Sequence, residues 1–151
     1  MGVEFSMVLP RRSYTVSLVR QVLAEALRVN GVCGDCRFSI LLTVSEACTN
    51  AVEHGAPAVE YEVTAEVDDE SCLVEIADSG SAFTPERVSL PDAESESGRG
   101  ILLMRYLADE VRFLPAQFGG TTVRLRKWLH NGDSHEGVGC GAGARIPAML
   151  G

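Results

Sequence analysis

The sequence contains little of what marks membrane, secreted or nucleic-acid-binding proteins. Its 151 residues hold no apolar run close to the ~20 residues that a helix needs to cross a bilayer. Residues 1–10 lack the basic-then-apolar order of a secretory signal. The net charge is −8 and only one lysine accompanies 12 arginines, with no basic stripe of the kind that binds phosphate backbones. We therefore expect a cytoplasmic protein that makes no direct contact with membrane or nucleic acid.

Cysteine and histidine are too sparse to predict a disulfide framework or a zinc site. The five cysteines, at positions 33, 36, 48, 72 and 140, are odd in number, and the chain has a cytosolic character. Cys33 and Cys36 form one CxxC pair, but neither a second pair nor histidines at zinc spacing accompany it. We expect both to be plain thiols near the start of a helix.

What the sequence does contain is one globular domain followed by a glycine-rich tail. Apolar residues make up 46% and charged residues 23%, which is ordinary for a soluble domain with a single core. We assign residues 1–129 to this domain. Residues 130–151 hold six of the 15 glycines and few apolar side chains, so we expect this tail to be disordered.

Hydrophobic periodicity predicts the order strand, helix, helix, two strands, loop, helix, two strands. Pro10 places the first strand at a sheet edge, and Ser13 and Asp35 are the expected N-caps of the first two helices. The predicted strands cover residues 4–9, 59–67, 72–77, 110–114 and 121–128, and the predicted helices end near Asn30, His54 and Ala108. This order predicts an α+β fold, a two-layer α/β sandwich whose mixed, mainly antiparallel sheet has three helices on one face.

The second predicted helix carries polar side chains in one column. At about 100° per residue, Glu46, Asn50, Glu53 and His54 lie on one face, opposite apolar residues. A solvated helix face is the ordinary interpretation of such a column. Asn50 favours a functional one, because asparagine is disfavoured inside helices and its side-chain oxygen can bind a hard cation. A glutamate one turn earlier can act as a base.

A second polar segment, Asp78-Ser79-Gly80-Ser81-Ala82-Phe83, follows the third predicted strand. Gly80 allows the backbone to approach a ligand closely, and the Asp78 carboxylate can accept a hydrogen bond from an exocyclic amine such as that of adenine. The alternative is that the Asp-Ser-Gly triplet forms an ordinary turn.

The third segment, Gly98-Arg99-Gly100, opens the last predicted helix. Free backbone N–H groups and the helix dipole create an anion site at such a start, and the alternative is a flexible hinge. The polar residues 84–97 before it show no clear period. We expect them to form a mobile lid that closes over a nucleotide.

Together these segments resemble the N, G1 and G2 boxes of the GHKL, or histidine-kinase-like, ATPase superfamily. Within it the match is best to the anti-sigma factor serine-protein kinases. Gly120-Thr121-Thr122 resembles the last box, and Leu107-Ala108-Asp109-Glu110-Val111 resembles the helix-to-strand junction of that subfamily. The resemblance covers about residues 5 to 128, and the three boxes occur in the family's order and at suitable spacing.

The resemblance implies a role for each residue of the boxes. Glu46 is the general base, and Asn50 holds Mg²⁺ that bridges the ATP phosphates. Asp78 binds the adenine amine and Thr121 lies near adenine, while His54 lies either beside the nucleotide or in a packing role. The remaining implied nucleotide-binding residues belong to the glycine boxes: Gly80, Ala82, Gly98, Arg99 and Gly100. Ala82 departs from the family, which often has glycine there.

Two functions follow from this resemblance. The first is an ATP-dependent serine kinase that phosphorylates an anti-anti-sigma (STAS-domain) partner and sequesters a sigma factor, with a homodimer as the form that relatives suggest. The second is an ATP-binding interaction module that regulates a partner without phosphotransfer. A sensor histidine kinase would need a phosphoacceptor hairpin, and a gyrase or chaperone ATPase would need further domains.

Overall fold

The computed structural model describes residues 2–78, 96–115 and 120–129, and its elements follow the predicted order. No helix within these ranges is long and apolar enough to span a bilayer. The predicted tail and the predicted lid up to residue 95 lie outside the described residues. The elements are β1 (Val3–Pro10), α1 (Tyr14–Val29), α2 (Gly34–His54), β2 (Glu60–Val67), β3 (Ser71–Asp78), α3 (Glu96–Leu107), β4 (Glu110–Pro115) and β5 (Thr121–Trp128).

The described strands form one sheet in the order β1-β2-β3-β5-β4, with β1 and β4 at its edges. Each of the four described pairings is antiparallel. The helices pack on one face of this sheet, which confirms the α+β two-layer prediction. Pro10 ends the edge strand β1, opposite Glu60, where its missing N–H costs no ladder bond.

Strict alternation in β2 supplies much of the core. Tyr61, Val63 and Val67 are at most 2% exposed, and each such burial contributes about 1.5–3 kcal/mol. The hydroxyl of Tyr61 lies 2.7 Å from Thr15 Oγ1, so this buried polar group keeps a hydrogen bond. Val59, the first residue of the predicted strand, is 75% exposed, and the strand begins one residue later.

Helix α1 packs through a narrower stripe than its apolar spacing predicts. Val19, Leu23 and Leu27 are fully buried, whereas Leu18 and Val22 are 42% and 40% exposed. The helix ends as predicted at Asn30, and the following glycine has a φ of 72°, a conformation that glycine adopts without strain. Ser13 lies at the N-cap but makes no capping hydrogen bond through its side chain, because its backbone is already helical.

The start of α2 corrects two predictions. The N-cap is Cys33, whose sulfur accepts a hydrogen bond from the backbone N–H of Cys36, and Asp35 lies inside the first helical turn. Cys33 is disulfide-bonded, which corrects the prediction that it is a plain thiol. Cys36 is a buried free thiol. Burial raises the pKa of the Cys48 and Cys72 thiols to about 12, so both stay protonated and unreactive at neutral pH.

Candidate functional site

A cleft opens between the C-terminal half of α2 and one end of strands β3, β4 and β5. Its empty volume is about 350 Å³, open solvent included. Four of the side chains predicted to bind a nucleotide meet in it, although the sequence separates them widely. The lining residues are Ala47, Asn50, Ala51, His54, Ile76, Asp78, Phe113, Thr121 and Val123.

Helix α2 brings Asn50 and His54 to the cleft by its own period. Residues four apart share a helix face, so Asn50 and His54 lie above one another beside the small side chains of Ala47 and Ala51. The apolar side of the helix, including Val44 and Cys48, is buried in the core. Asn50 and His54, which belong to the polar column, therefore lie on the side of the helix that faces the cleft.

The side-chain amide of Asn50 contains a polar atom without a hydrogen-bond partner. Its Nδ2 is buried and has no hydrogen-bond partner in the structure. A buried polar group without a partner costs about 1–3 kcal/mol, so a ligand that bonds this amide would recover that energy. Asn50 therefore fits the role of a ligand-binding side chain better than a structural one.

Asp78 and Thr121 meet through strand pairing. Asp78 is the last residue of β3, Thr121 is the first of β5, and the antiparallel register places them directly opposite one another. Opposed residues in such a pair lie about 4.5–5.5 Å apart at their Cα atoms. Asp78 is half-buried and Thr121 is buried, so a carboxylate and a hydroxyl share the inner end of the cleft.

The cleft also has an apolar floor, which the sequence analysis missed. Ile76, Phe113 and Val123 line it from three neighbouring strands, and Phe113 is the register partner of Val123. Apolar walls with a few convergent polar groups are typical of small-molecule sites. The alternation of β4 carried a weak signal for Phe113, but its strand neighbours were unknown.

Glu46 does not belong to the cleft lining. It lies one turn before Asn50 on α2 and is half-buried. Glu53, on the same column, is exposed, and its carboxylate lies 3.9 Å from His54 Nε2. Along the helix, Glu46 therefore lies one turn before Asn50, whereas His54 lies one turn after it.

The glycine boxes are only partly described. Gly80 and Ala82 lie outside the described residues. Gly98, Arg99 and Gly100 lie within the first turns of α3, which begins two residues earlier than predicted, at Glu96. Helix α3 packs against α2, so its N-terminal turns belong to the same helical layer as Asn50.

Gly55, which ends α2, sits in a space that no larger residue can share. A Cβ at this position would lie 2.4 Å from the Ala51 carbonyl oxygen and 2.8 Å from Arg11 Cδ. Its φ of −80° is open to any residue, so contact and not backbone conformation requires glycine here. The end of the helix that carries Asn50 and His54 is therefore set by close packing.

Replacing Gly55 with alanine should destabilise the protein by about 1–3 kcal/mol, the usual effect of overpacking. Urea denaturation with an unchanged m-value measures it. Gly34→Ala is the matched control, because a Cβ there meets only Arg37 Nη2 at 3.9 Å and alanine favours a helix. Equal midpoints for the two variants would contradict the close packing.

Comparison with known proteins shows which family the chain belongs to. The profile of the histidine kinase-like ATPase domain matches residues 9–127. The chain is 32% identical over 136 residues to the serine-protein kinase RsbW of Bacillus licheniformis, over 80% of this chain and 82% of that protein. It is also 32% identical over 139 residues to the serine-protein kinase RsbW of Bacillus subtilis (strain 168), over 82% and 84% of the two chains.

A solved structure shares the fold. The structure of the RsbU and RsbW domains of Rv1364c from Mycobacterium tuberculosis matches with a TM-score of 0.65 and 23% sequence identity. The match covers 84% of this chain and 32% of that one. This likeness shows that the two chains share a fold.

Proposed function

We propose a function for this chain from one premise: it belongs to the histidine kinase-like ATPase family, and within it to the anti-sigma serine-protein kinases. The proposed function is ATP binding with Mg²⁺ and transfer of phosphate to a serine of an anti-anti-sigma partner in the cytoplasm. In the same proposal the protein sequesters a sigma factor when that partner is modified.

One observation carries the nucleotide part of this proposal: Asn50, Asp78 and Thr121 line a single cleft with an apolar floor. Asp78 accepts a hydrogen bond from the exocyclic amine of adenine, and Thr121 bonds the same edge of the base. The side chain of Phe113 packs on the base from β4.

Asn50 is the residue that would hold Mg²⁺. An amide oxygen suits this cation, which is usually bound by one or two protein ligands together with substrate phosphates. When bound, Mg²⁺ supplies charge neutralisation at the phosphates. The buried, unpartnered Nδ2 of Asn50 cannot bind the cation, but it can donate a hydrogen bond to a phosphate oxygen, so the two ends of the amide together suit a metal-bound phosphate.

Glu46 is proposed as the general base. Its carboxylate takes the proton of the attacking serine hydroxyl, which makes the oxygen a better nucleophile. The side chain lies one helical turn before Asn50 on the same column, so it would face the transferred phosphate from outside the base-binding cleft. Gly80, Ala82, Gly98, Arg99 and Gly100 are proposed to face the phosphates, with the glycines allowing backbone N–H groups to come close.

The names of the two relatives support the proposed kinase activity. Both Bacillus proteins are serine-protein kinases, and the chain covers more than four fifths of each. A serine-bearing STAS-domain protein and a sigma factor are therefore the partners proposed for this chain, and a homodimer is its proposed assembly.

Two observations favour a second function, an ATP-binding interaction module without phosphotransfer. Glu46 lies outside the cleft lining, and this chain has Ala82 where the family resemblance implies a glycine. If the Glu46 carboxylate does not reach the transferred phosphate, the protein would bind ATP but would not transfer phosphate. Transfer of labelled phosphate from ATP to a purified anti-anti-sigma protein separates the two functions.

The nucleotide part is tested by calorimetric titration with ATP and GTP. We expect the wild type to bind ATP in the micromolar to sub-millimolar range, roughly that of ordinary enzyme substrates, and to prefer it to GTP. Asp78→Asn should weaken ATP binding about 10- to 100-fold, because a buried amine loses its charged acceptor. The ATP/GTP preference should narrow as well, since an amide can donate to the guanine keto group.

Asp35→Asn is the matched control for this titration, because Asp35 lies in the first turn of α2, outside the cleft lining. It should bind as the wild type does. Failure of the wild type to bind ATP or ADP at millimolar concentration would overturn the nucleotide proposal, and equal affinity for ATP and GTP would remove Asp78 as the base-reading residue.

A further inference from the structure

We propose that Arg11 is a positioning residue of the nucleotide site, which it serves by holding the last turn of α2. It does not line the cleft and acts through Asn50 and His54. Its role toward the nucleotide rests on the function proposed above, whereas its hold on α2 is a property of the protein alone.

Arg11 follows the edge strand β1 and reaches across to the end of α2. Its Nη1 donates a hydrogen bond to the carbonyl oxygen of Val52, and its Nε donates to the carbonyl oxygen of Ala58 at 2.7 Å. Its backbone N–H donates to the carbonyl oxygen of Val59 at 2.8 Å. One residue thus joins β1, the last turn of α2 and the segment that leads into β2.

The chemistry of a helix end explains why an arginine suits this place. The last carbonyl groups of an α-helix have no intrahelical donor, and the helix dipole makes its C-terminus favourable for a cation. In α2 the Ala51 carbonyl receives the N–H of Gly55, and the next carbonyl, that of Val52, receives the guanidinium. Charge-assisted hydrogen bonds of this kind are stronger than neutral ones, and the planar guanidinium supplies two at once.

Gly55 contributes to the same contact between Arg11 and the end of α2. The position that its Cβ would occupy lies 2.8 Å from Arg11 Cδ, so the absence of a side chain there opens the path of the arginine stem. Gly55 and Arg11 are distant in sequence and have no motif in common. Their contact indicates that the end of α2 is shaped around this side chain.

The held turn is the one that faces the nucleotide. Val52 lies between Asn50 and His54, and both of these line the cleft. A helix turn is stiff along its hydrogen bonds, so a shift or fraying at Val52 moves the Asn50 amide relative to Asp78 and Thr121, which are fixed on the sheet. Loss of Arg11 should therefore disturb the contact to metal and phosphate more than the contact to the base.

The test compares Arg11→Met with Arg12→Met. The methionine keeps an apolar stem and removes the donors, and Arg12 is the exposed neighbour, so the pair is matched in charge and chemistry. The first measurement is hydrogen exchange of the nucleotide-free proteins. Amides of residues 51–59 should exchange faster in Arg11→Met and as in the wild type in Arg12→Met.

The second measurement is ATP affinity with Mg²⁺ and with EDTA. Arg11→Met should lower the affinity gained from Mg²⁺ by about 10- to 100-fold, the usual effect of losing a group that orients a metal ligand, while affinity in EDTA changes little. A variant that is merely less stable would lose both affinities together. Arg11→Lys, which keeps the charge and one donor, should recover part of the loss.

Unchanged hydrogen exchange in Arg11→Met would overturn the proposal that Arg11 holds the last turn of α2. Faster exchange together with an unchanged gain in ATP affinity from Mg²⁺ would overturn the positioning role and show that Arg11 serves only the fold. A wild type that binds no ATP would refute the proposed function instead, because the exchange result in nucleotide-free protein is read independently of it.

Discussion

Replacing Glu46 with glutamine should lower phosphotransfer about 10²- to 10⁴-fold, the usual contribution of a general base, and leave ATP affinity unchanged. The amide is nearly isosteric with the carboxylate but cannot take the serine proton. Affinity should persist because Glu46 lies outside the cleft lining, where we propose that the base binds. The measurement is transfer of radiolabelled phosphate from ATP to a purified anti-anti-sigma protein, alongside calorimetry.

Glu53→Gln is the matched control for this experiment. Glu53 stands on the same helix column, but its side chain is 47% exposed and lies beside His54, and it does not line the cleft. We expect its transfer rate to stay within about twofold of the wild type, as for an ordinary surface substitution. Equal rates for wild type and Glu46→Gln would remove the base role, and intact ATP binding with no transfer in the wild type would favour the interaction module.

Replacing Asn50 with alanine should remove both Mg²⁺-dependent ATP binding and phosphotransfer. The amide oxygen is the protein ligand that we propose for the cation, and neutralisation of the phosphates depends on that cation. The same substitution should leave the nucleotide-free protein as stable as the wild type or more stable. The reason is that the buried, unpartnered Nδ2 costs about 1–3 kcal/mol, and alanine also favours a helix.

Loss of Mg²⁺-dependent ATP binding without loss of stability would distinguish an Asn50 that binds the ligand from an Asn50 that stabilises the fold. Thermal unfolding without nucleotide and calorimetry with ATP and Mg²⁺ measure the two effects on the same samples. Thr49→Ala serves as the control, because Thr49 is the adjacent half-buried residue of α2 and does not line the cleft. A destabilised Asn50→Ala protein that still binds ATP with Mg²⁺ would show that the amide serves the fold.

The sequence alone determined the features that depend on neighbours along the chain. Alternation over β2 predicted which side chains face the core, because strand and helix periods are set by local backbone geometry. The column of Glu46, Asn50 and His54 was predictable for the same reason. Asn30 and Gly55 marked where α1 and α2 end. The order of elements then left few arrangements other than a two-layer sandwich, since each apolar face must be buried against another.

The predictions failed at element ends, where residue type alone does not decide the cap. Asp35 and Ser13 are good N-cap residues by type, yet Cys33 takes the cap of α2 and Ser13 makes no side-chain bond. An N-cap depends on the backbone angles of one residue, and these respond to the tertiary packing of the whole helix. A difference of one or two residues in a helix start lies within what side-chain preference leaves undecided.

Only the tertiary structure decided which residues come together in the site. The β3–β5 register places Asp78 opposite Thr121, and the β4–β5 register places Phe113 beside Val123. The reach of Arg11 over Gly55 joins the first strand to the end of α2. These contacts join residues far apart in the chain, and their free energy comes from burial and pairing that no local period encodes. The sequence could therefore name Asn50, His54, Asp78 and Thr121, but only the packed sheet and helices bring them to one cleft.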